Sequence, residues 1–299
     1  MKWSEYNESL VRRGEILLGF DVIDNWDKEL GQMNKGKTGE PFHYPDTFVL
    51  MLGYAKVYFH LPYRQTEGIV NGHAGSRIPS IPDFSTINRR INRLNIKIKD
   101  TSKNTNPSKE EDEYIIIAID SSGTKITNRG EWMNKKWNIH RKGYLKVHIA
   151  VDIKSKKILS MGVTDEHTHD SKMLSKLVED ILRTNGCSMI DKLIADGAYD
   201  SNDIFRCLSE KGIVPCIKVR KNSRVRKTGH LFRNLSVIAQ RNNYEQWKDS
   251  VSYGQRWIVE TVFSSLKRMF GEYVYSVKLK NMKQELMLKA ALYNKFLSL

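Results

Sequence analysis

Two kinds of hydrophobic spacing follow one another along the second half of the chain. Residues 114–120, YIIIAID, form a continuous apolar run that is typical of a buried central strand. Residues 144–153 alternate apolar and polar positions, and residues 156–166 follow across a short turn, so together they predict a β-hairpin. The spacing further predicts helices over 170–183, 201–212, 253–270 and 280–298, and strands over 189–196 and 213–219. Pro215 favours an edge position for the last strand.

The first third of the chain has helical spacing instead. Residues 46–60 carry apolar side chains at helical intervals, and Pro62 suits the first turn of a helix that runs toward Asn71. A third helix is predicted with Asp83 or Ser85 as its N-cap. Its apolar face is Ile87, Ile91 and Leu94, and its other face carries Arg89, Arg90 and Arg93. Three short helices ending in a basic one are compatible with a DNA-binding module and equally with a plain bundle that docks on the second domain.

A polar segment separates these two patterns. Residues 97–113, KIKDTSKNTNPSKEEDE, contain no aromatic residue and almost no apolar one, which is typical of a linker. The sequence therefore predicts a helical N-terminal domain over 1–96, serving DNA binding or dimerisation, and a larger domain over 114–299 in which strands and helices succeed one another.

The net charge of the chain indicates which class of molecule it binds. The chain has 49 basic and 34 acidic residues, a formal net charge of +15, which favours a polyanionic partner such as nucleic acid. No apolar run approaches the roughly 20 residues that span a bilayer, and the N-terminus has no apolar signal region. We therefore expect a cytoplasmic, nucleoid-associated protein without a membrane partner. Cys187, Cys207 and Cys216 form no close pair, which favours reduced, buried thiols over disulfides or structural zinc.

The basic charge is concentrated in two segments. Residues 218–233 contain seven basic residues and no acidic one. Residues 125–146 contain seven basic residues against one glutamate, with Trp132, Trp137 and Tyr144 interleaved. Such mixtures suit a phosphate backbone and unstacked bases. The residues predicted here to contact DNA are Lys125, Arg129, Lys146, Arg224, Arg226 and Lys227, and the helical domain adds Arg89, Arg90 and Arg93.

Two predicted strands end in aspartate, Asp120 and Asp196. Ligands gather outside the carboxyl ends of strands in open α/β sheets. If the first and fourth strands are neighbours, these carboxylates lie side by side and repel each other unless a cation bridges them. Glu260 is available as a third carboxylate, and such a set suits a two-metal site for in-line displacement at phosphorus. The helix over 253–270 carries Tyr253, Arg256, Glu260, Ser264 and Lys267 along one polar stripe, opposite an apolar arc.

These motifs resemble the DDE transposases of bacterial and archaeal insertion sequences, and in particular the insertion sequence four/five-like group. The spacing Tyr-x2-Arg-x3-Glu-x6-Lys over 253–267 matches that of several families in the group. AIDSSGTK and IADGAYDS resemble the two aspartate motifs, and RKGYLKVHIAVD and VTDEHTHDS the segments between them. IPDFSTINRR resembles the N-terminal domain of the five-like members. The resemblance runs from about residue 44 to the end and implies a ribonuclease H-like α/β catalytic domain, with a mixed five-stranded sheet and flanking helices, after a small helical domain.

The resemblance also implies an activity. A transposase of this kind binds the terminal inverted repeats of its element, cleaves the DNA ends and joins their 3′-hydroxyls to target DNA. Asp120, Asp196 and Glu260 would be catalytic and bind two Mg²⁺ ions, with Mn²⁺ as a substitute; one ion activates water or a 3′-hydroxyl and the other stabilises the leaving oxygen. Tyr253, Arg256 and Lys267 would contact DNA phosphates. Because two ends meet in one complex, we expect a homodimer on double-stranded DNA and no small-molecule substrate.

Several alternatives stay open on the sequence. If the chain is not an active transposase, it is either a transposase-derived DNA-binding protein without cleavage activity or a ribonuclease H-like nuclease. With 63 residues between Asp196 and Glu260, the β-rich insertion that holds a DNA hairpin in some relatives does not fit. Trp247 either stacks on a flipped base or packs in a half-buried position. Residues 165–170, DEHTHD, either bind a transition metal or mark a strand end and a helix cap, and His148 is expected to have an orienting or surface role.

Overall fold

The computed structural model of the chain describes residues 3–18, 20–74, 78–98, 114–127, 143–184 and 190–299. The elements in chain order are α1 (Trp3–Leu18), α2 (Trp26–Asn34), α3 (Asp46–Tyr58), α4 (Tyr63–Ala74), α5 (Phe84–Ile91), β1 (Ile115–Ile126), β2 (Tyr144–Asp152), β3 (Ile158–Asp165), α6 (Ser171–Thr184), β4 (Ile190–Ala195), α7 (Asn202–Glu210), β5 (Val214–Ile217), α8 (Leu231–Asn242), α9 (Tyr244–Ser250), α10 (Trp257–Phe270), β6 (Tyr273–Val274) and α11 (Leu279–Leu297). The chain divides into two compact units, residues 1–97 with 276–299, and residues 98–275.

The second unit is built on one mixed sheet with the strand order β3-β2-β1-β4-β5. β1 and β2 pair antiparallel, as do β2 and β3, whereas β4 is parallel to β1 and β5 is parallel to β4. β5, which contains Pro215, lies at the edge of this order, as predicted. The predicted α/β fold with a mixed sheet of five strands and flanking helices is confirmed, and β6 adds a short sixth strand beside the end of β1.

Helices cover both faces of this sheet. On β1, Ile117 and Ile119 belong to the core that includes residues of α6 and α7. Because side chains alternate along a strand, Ala118 and Asp120 point to the opposite face, where α10 packs against β1 and β2. The polar positions of β2 share the face of Ile117 and Ile119 and are covered by α6, and His148 is fully buried. The surface role considered for His148 is wrong for this reason.

The first unit is helical, with α3 in contact with α1, α4, α5 and α11. The predicted helices at α3, α4 and α5 are present, and the Asp83 carboxylate caps α5 by accepting the backbone N–H groups of Ser85 and Thr86, each at 2.7 Å. α1 and α2 were not predicted. The side-chain amide of Gln284 on α11 donates to the backbone carbonyl of Ile91 at 3.0 Å, so α11 packs with the N-terminal helices. This differs from the predicted boundary, which assigned residues 276–299 to the larger domain.

Two elements of the α/β unit differ from the sequence prediction. β1 does not end at Asp120 but continues to Ile126, because its second half pairs with β2 on one side and with β6 on the other. The basic segment that precedes α10 is not irregular throughout, since it contains α8 and α9. Both differences bear on the candidate site, which lies where β1, the end of β4 and α10 meet.

Candidate active site

The pairing of β1 with β4 brings two aspartates to one place. Ala118 pairs with Ile194, and these residues lie two positions before Asp120 and Asp196 respectively. Asp196 directly follows β4 and begins a short 3-10 turn, in which its Oδ1 accepts the backbone N–H of Ala198 at 2.9 Å. The first and fourth strands are thus neighbours, as the sequence required for these carboxylates to lie side by side.

Helix α10 carries the third carboxylate to the same edge. Glu260 lies in its first turn, on the side turned away from the buried residues Val259, Val262 and Phe263. The Arg256 guanidinium lies between the two elements: its Nη1 is 3.2 Å from Oδ2 of Asp120, and its Nη2 contacts Oε1 of Glu260. A single cationic side chain therefore joins a carboxylate of β1 to a carboxylate of α10.

The three carboxylates share one electrostatic environment. Burial raises the pKa of the Asp120 carboxyl, while the Ser121 amide and the Arg256 guanidinium lower it. The charges of Asp196 and Glu260 raise the pKa of Asp120 further. The neighbouring carboxylates therefore disfavour the ionised form of Asp120, and a positive charge placed among the three carboxylates stabilises their ionised forms.

The chemistry of this donor set suits a hard divalent cation. In the part of the chain that the structure describes, no group of three His, Cys, Asp or Glu side chains stands close enough together to hold a metal ion as arranged. Carboxylate oxygens are nevertheless the ligands that Mg²⁺ takes, and the charge of Arg256 already occupies a position between two of them. Asp120, Asp196 and Glu260 are the residues that would hold such an ion.

Tyr253 and Trp247 are packed against each other. Tyr253 lies in a 3-10 turn, Tyr253–Arg256, that precedes α10, and not in one continuous helix as predicted. The chain turns there because Ser252 adopts a left-handed conformation with φ 54°. The two rings have centroids 5.1 Å apart, both residues are only 7 % exposed, and burial raises the pKa of the Tyr253 hydroxyl. Of the two interpretations of Trp247, the structure favours packing, since a buried indole presents no face to a base.

The rest of the polar stripe follows the predicted face of α10. Ser264 is exposed and Lys267 is half-buried, one and two turns beyond Glu260. Lys267 thus places its charge on a partly accessible part of this face. Its contact with DNA stays a prediction.

A buried ion pair that the sequence did not reveal ties the loop after Asp196 to the basic segment. The Asp200 carboxylate accepts from Nε and Nη2 of Arg233 at 2.6 and 3.1 Å, and from the Ser223 hydroxyl at 2.5 Å. The side chain of Arg220 donates to the carbonyl of Gly197, next to Asp196, at 3.0 Å. Two of the seven basic residues in this segment, Arg220 and Arg233, therefore hold the loop after Asp196 in place. The sequence feature that could have indicated this ion pair is the second aspartate in IADGAYDS.

Another buried polar cluster lies under α6 on the neighbouring strand. The Asp170 carboxylate is 2.7 Å from Nζ of Lys146 and 3.4 Å from Nδ1 of His148, whose Nε2 is 2.9 Å from the Thr164 hydroxyl. Burial lowers the pKa of the His148 imidazole, which favours its neutral form. Lys146, predicted to contact DNA, is thus engaged by Asp170, and the orienting role considered for His148 agrees with this geometry.

The remaining predicted DNA contacts divide by exposure. The exposed ones are Arg224, Arg226, Lys227, Arg89 and Arg93. Arg90 differs, because its guanidinium donates to Asp46 and to the carbonyl of Tyr44, both at 2.8 Å, and its side chain is largely buried. Lys125 pairs with Glu272 at 3.4 Å, and Arg129 lies outside the described residues.

The segment 165–170 and the cysteines have plain structural explanations. β3 ends at Asp165 and α6 begins at Ser171, so the strand-end interpretation of DEHTHD agrees with the structure. No metal-binding group of three residues forms there within the described ranges. Cys216 is a buried free thiol and Cys207 a half-buried one, while Cys187 lies outside the described residues.

Comparison with known proteins places the chain in a family. A model of the Transposase DDE domain family matches residues 111–295, and a second model of the same description matches residues 11–129. Since the first covers more than half of the chain, the protein belongs to the Transposase DDE domain family. Among the described residues, no helix combines the length and the apolar character needed to span a membrane.

Solved structures give weak global matches. A cryo-EM structure of the piggyBac transposase synaptic complex with hairpin DNA aligns with 10 % identity and a TM-score of 0.40, covering 96 % of this chain and 74 % of that one. A simian T-cell lymphotropic virus intasome in complex with a PP2A regulatory subunit aligns with 12 % identity and a TM-score of 0.31, covering 81 % and 65 %.

Proposed function

We propose that this protein is an insertion sequence transposase of the four/five-like group that binds the terminal inverted repeats of its element, cleaves the DNA ends and joins their 3′-hydroxyls to target DNA. The observations that carry the proposal are the pairing of β1 with β4, which brings Asp120 near Asp196, and the contacts of Arg256 with both Asp120 and Glu260. The membership in the Transposase DDE domain family supports the same reaction class.

Each side chain then has a role in phosphoryl transfer. Asp120, Asp196 and Glu260 would hold two Mg²⁺ ions, which supply Lewis-acid stabilisation of the attacking and leaving oxygens. Arg256 and Lys267 would bind phosphate oxygens next to the scissile bond, with the Arg guanidinium able to do so through two parallel hydrogen bonds. The exposed basic residues of the two units would hold the flanking double-stranded DNA, and two copies of the chain would hold the two ends in one complex.

The test uses duplexes that carry the inverted repeats flanking the gene, incubated with protein and Mg²⁺ or Mn²⁺. Wild type is expected to nick the repeat ends and to yield joined products, whereas Asp120→Asn and Glu260→Gln bind the same DNA without nicking it. Full cleavage by either variant would overturn the site. Binding without breaks by wild type would identify a DNA-binding protein, and breaks without joined products a nuclease.

A further inference from the structure

Arg256 lies between two of the carboxylates of the candidate metal site, Asp120 and Glu260. We infer that in the free protein Arg256 is an internal counter-cation, which lies between Asp120 and Glu260, two of the carboxylates that would hold a divalent metal ion. DNA then draws the guanidinium onto a phosphate and leaves the carboxylates to the ion. The inference rests on the proposed metal site and adds a role for Arg256 that phosphate binding alone does not give it.

The geometry supports a bridging role over a simple surface ion pair. The two terminal nitrogens of one guanidinium contact carboxylates on different elements, Nη1 with Asp120 at 3.2 Å and Nη2 with Glu260. Both the Arg256 and the Asp120 side chains are largely removed from solvent, at 26 % and 20 % exposure, so their attraction is screened less than that of an exposed pair. An arginine keeps its charge at every accessible pH, so this counter-charge is permanent.

A guanidinium that already contacts two carboxylates opposes a second cation there, by charge repulsion and by occupying acceptor sites on their oxygens. Oδ2 of Asp120 and Oε1 of Glu260, which face the guanidinium, are acceptors that a bound ion would need. Metal binding to the free protein therefore requires Arg256 to move, and this displacement weakens the apparent metal affinity. A DNA phosphate offers the guanidinium an alternative anion, so DNA and metal binding strengthen each other reciprocally.

The test measures metal binding without DNA and without turnover. Mn²⁺ is titrated into wild type, Arg256→Gln, Asp120→Asn and the control Arg268→Gln, and free Mn²⁺ is followed by its EPR signal. Arg268 suits the control because it is exposed on α10, the helix that Arg256 precedes, and its replacement removes the same charge. We expect Arg256→Gln to bind Mn²⁺ about tenfold more tightly than wild type, within the usual range of coupling between sites, although it is inactive in cleavage.

A second variant and a second readout separate the outcomes. Arg256→Lys keeps the charge but lacks the two terminal nitrogens that contact two carboxylates. Its affinity for Mn²⁺ should therefore fall between those of wild type and Arg256→Gln. The Mn²⁺-induced rise in Tm should be larger in Arg256→Gln than in wild type, which a purely structural role of the arginine does not produce. Unchanged or weaker Mn²⁺ binding by a folded Arg256→Gln overturns the inference. Binding that is insensitive to Asp120→Asn overturns instead the metal site, and with it the proposed function.

Discussion

The pair of Asp200 and Arg233 offers the sharpest test of how this site is held together. The Asp200 carboxylate is 1 % exposed and receives two charged hydrogen bonds from Arg233, at 2.6 and 3.1 Å. Arg233→Met removes both donors and leaves a buried charge with two donors, the Ser223 hydroxyl and the Arg220 backbone N–H. Breaking one side of a buried ion pair costs about 3–5 kcal/mol, because the remaining charge loses its compensation.

The measurement is urea unfolding of wild type, Arg233→Met, Asp200→Asn and the double variant. The single variants should lose more stability together than the double variant does, because both remove one shared interaction. Arg226→Met is the matched control, since this arginine is exposed in the same segment and its loss should change stability by less than about 0.5 kcal/mol. Amide hydrogen exchange over residues 223–234 reports whether the opening is local.

The stability that the Asp200–Arg233 pair contributes should depend on pH in one direction. Burial by itself would raise the pKa of Asp200, but the hydrogen bonds from Arg233 and Ser223 outweigh it and hold the pKa below the ordinary carboxyl value. The ionised pair therefore contributes stability above the ordinary carboxyl range, and this contribution is lost as pH falls through the lowered pKa. Asp200→Asn should lack this acid-side loss. A cost for Arg233→Met below about 1 kcal/mol, as for an exposed pair, would refute the reasoning.

Three further predictions concern separate parts of the molecule. Trp247→Ala should lower the free energy of unfolding by about 3–5 kcal/mol, because the buried ring packs on Tyr253, and Trp247→Phe by clearly less; equal losses would contradict the packing role. Lys267→Gln should weaken binding to duplexes of any sequence and reduce the slope of log K against log salt by about 1, with Tm unchanged; an unaltered slope would exclude a phosphate contact. Asp83→Ala should lower Tm by removing the cap of α5, while Asp83→Ser retains most of it; identical Tm values would show that the cap contributes nothing.

Local patterns predicted the elements that carry their own signal. The continuous apolar run of β1, the hairpin of β2 and β3, and the α3, α4 and α5 helices appear where spacing and caps placed them. The helices α8 and α9 were not predicted, and α8 buries a different face from the one that its apolar spacing marks. On α8 the buried face includes Arg233 and Val237, while Leu231, Leu235 and Ile238 are exposed. Amphipathic spacing does not predict a helix whose buried face contains an arginine.

Composition and local spacing were enough to identify the chemical groups of this protein: the two aspartates, the spacing of the residues around Glu260, and the excess of positive charge. These follow from composition and from distances along the chain, which short-range geometry converts into faces and turns. The tertiary structure alone decided that Arg256 joins Asp120 to Glu260, that Asp200 binds Arg233, and that α11 packs with the N-terminal helices. Apart from the contact between Arg256 and Glu260, these contacts join residues far apart in sequence, and burial, which no local pattern contains, sets their strength.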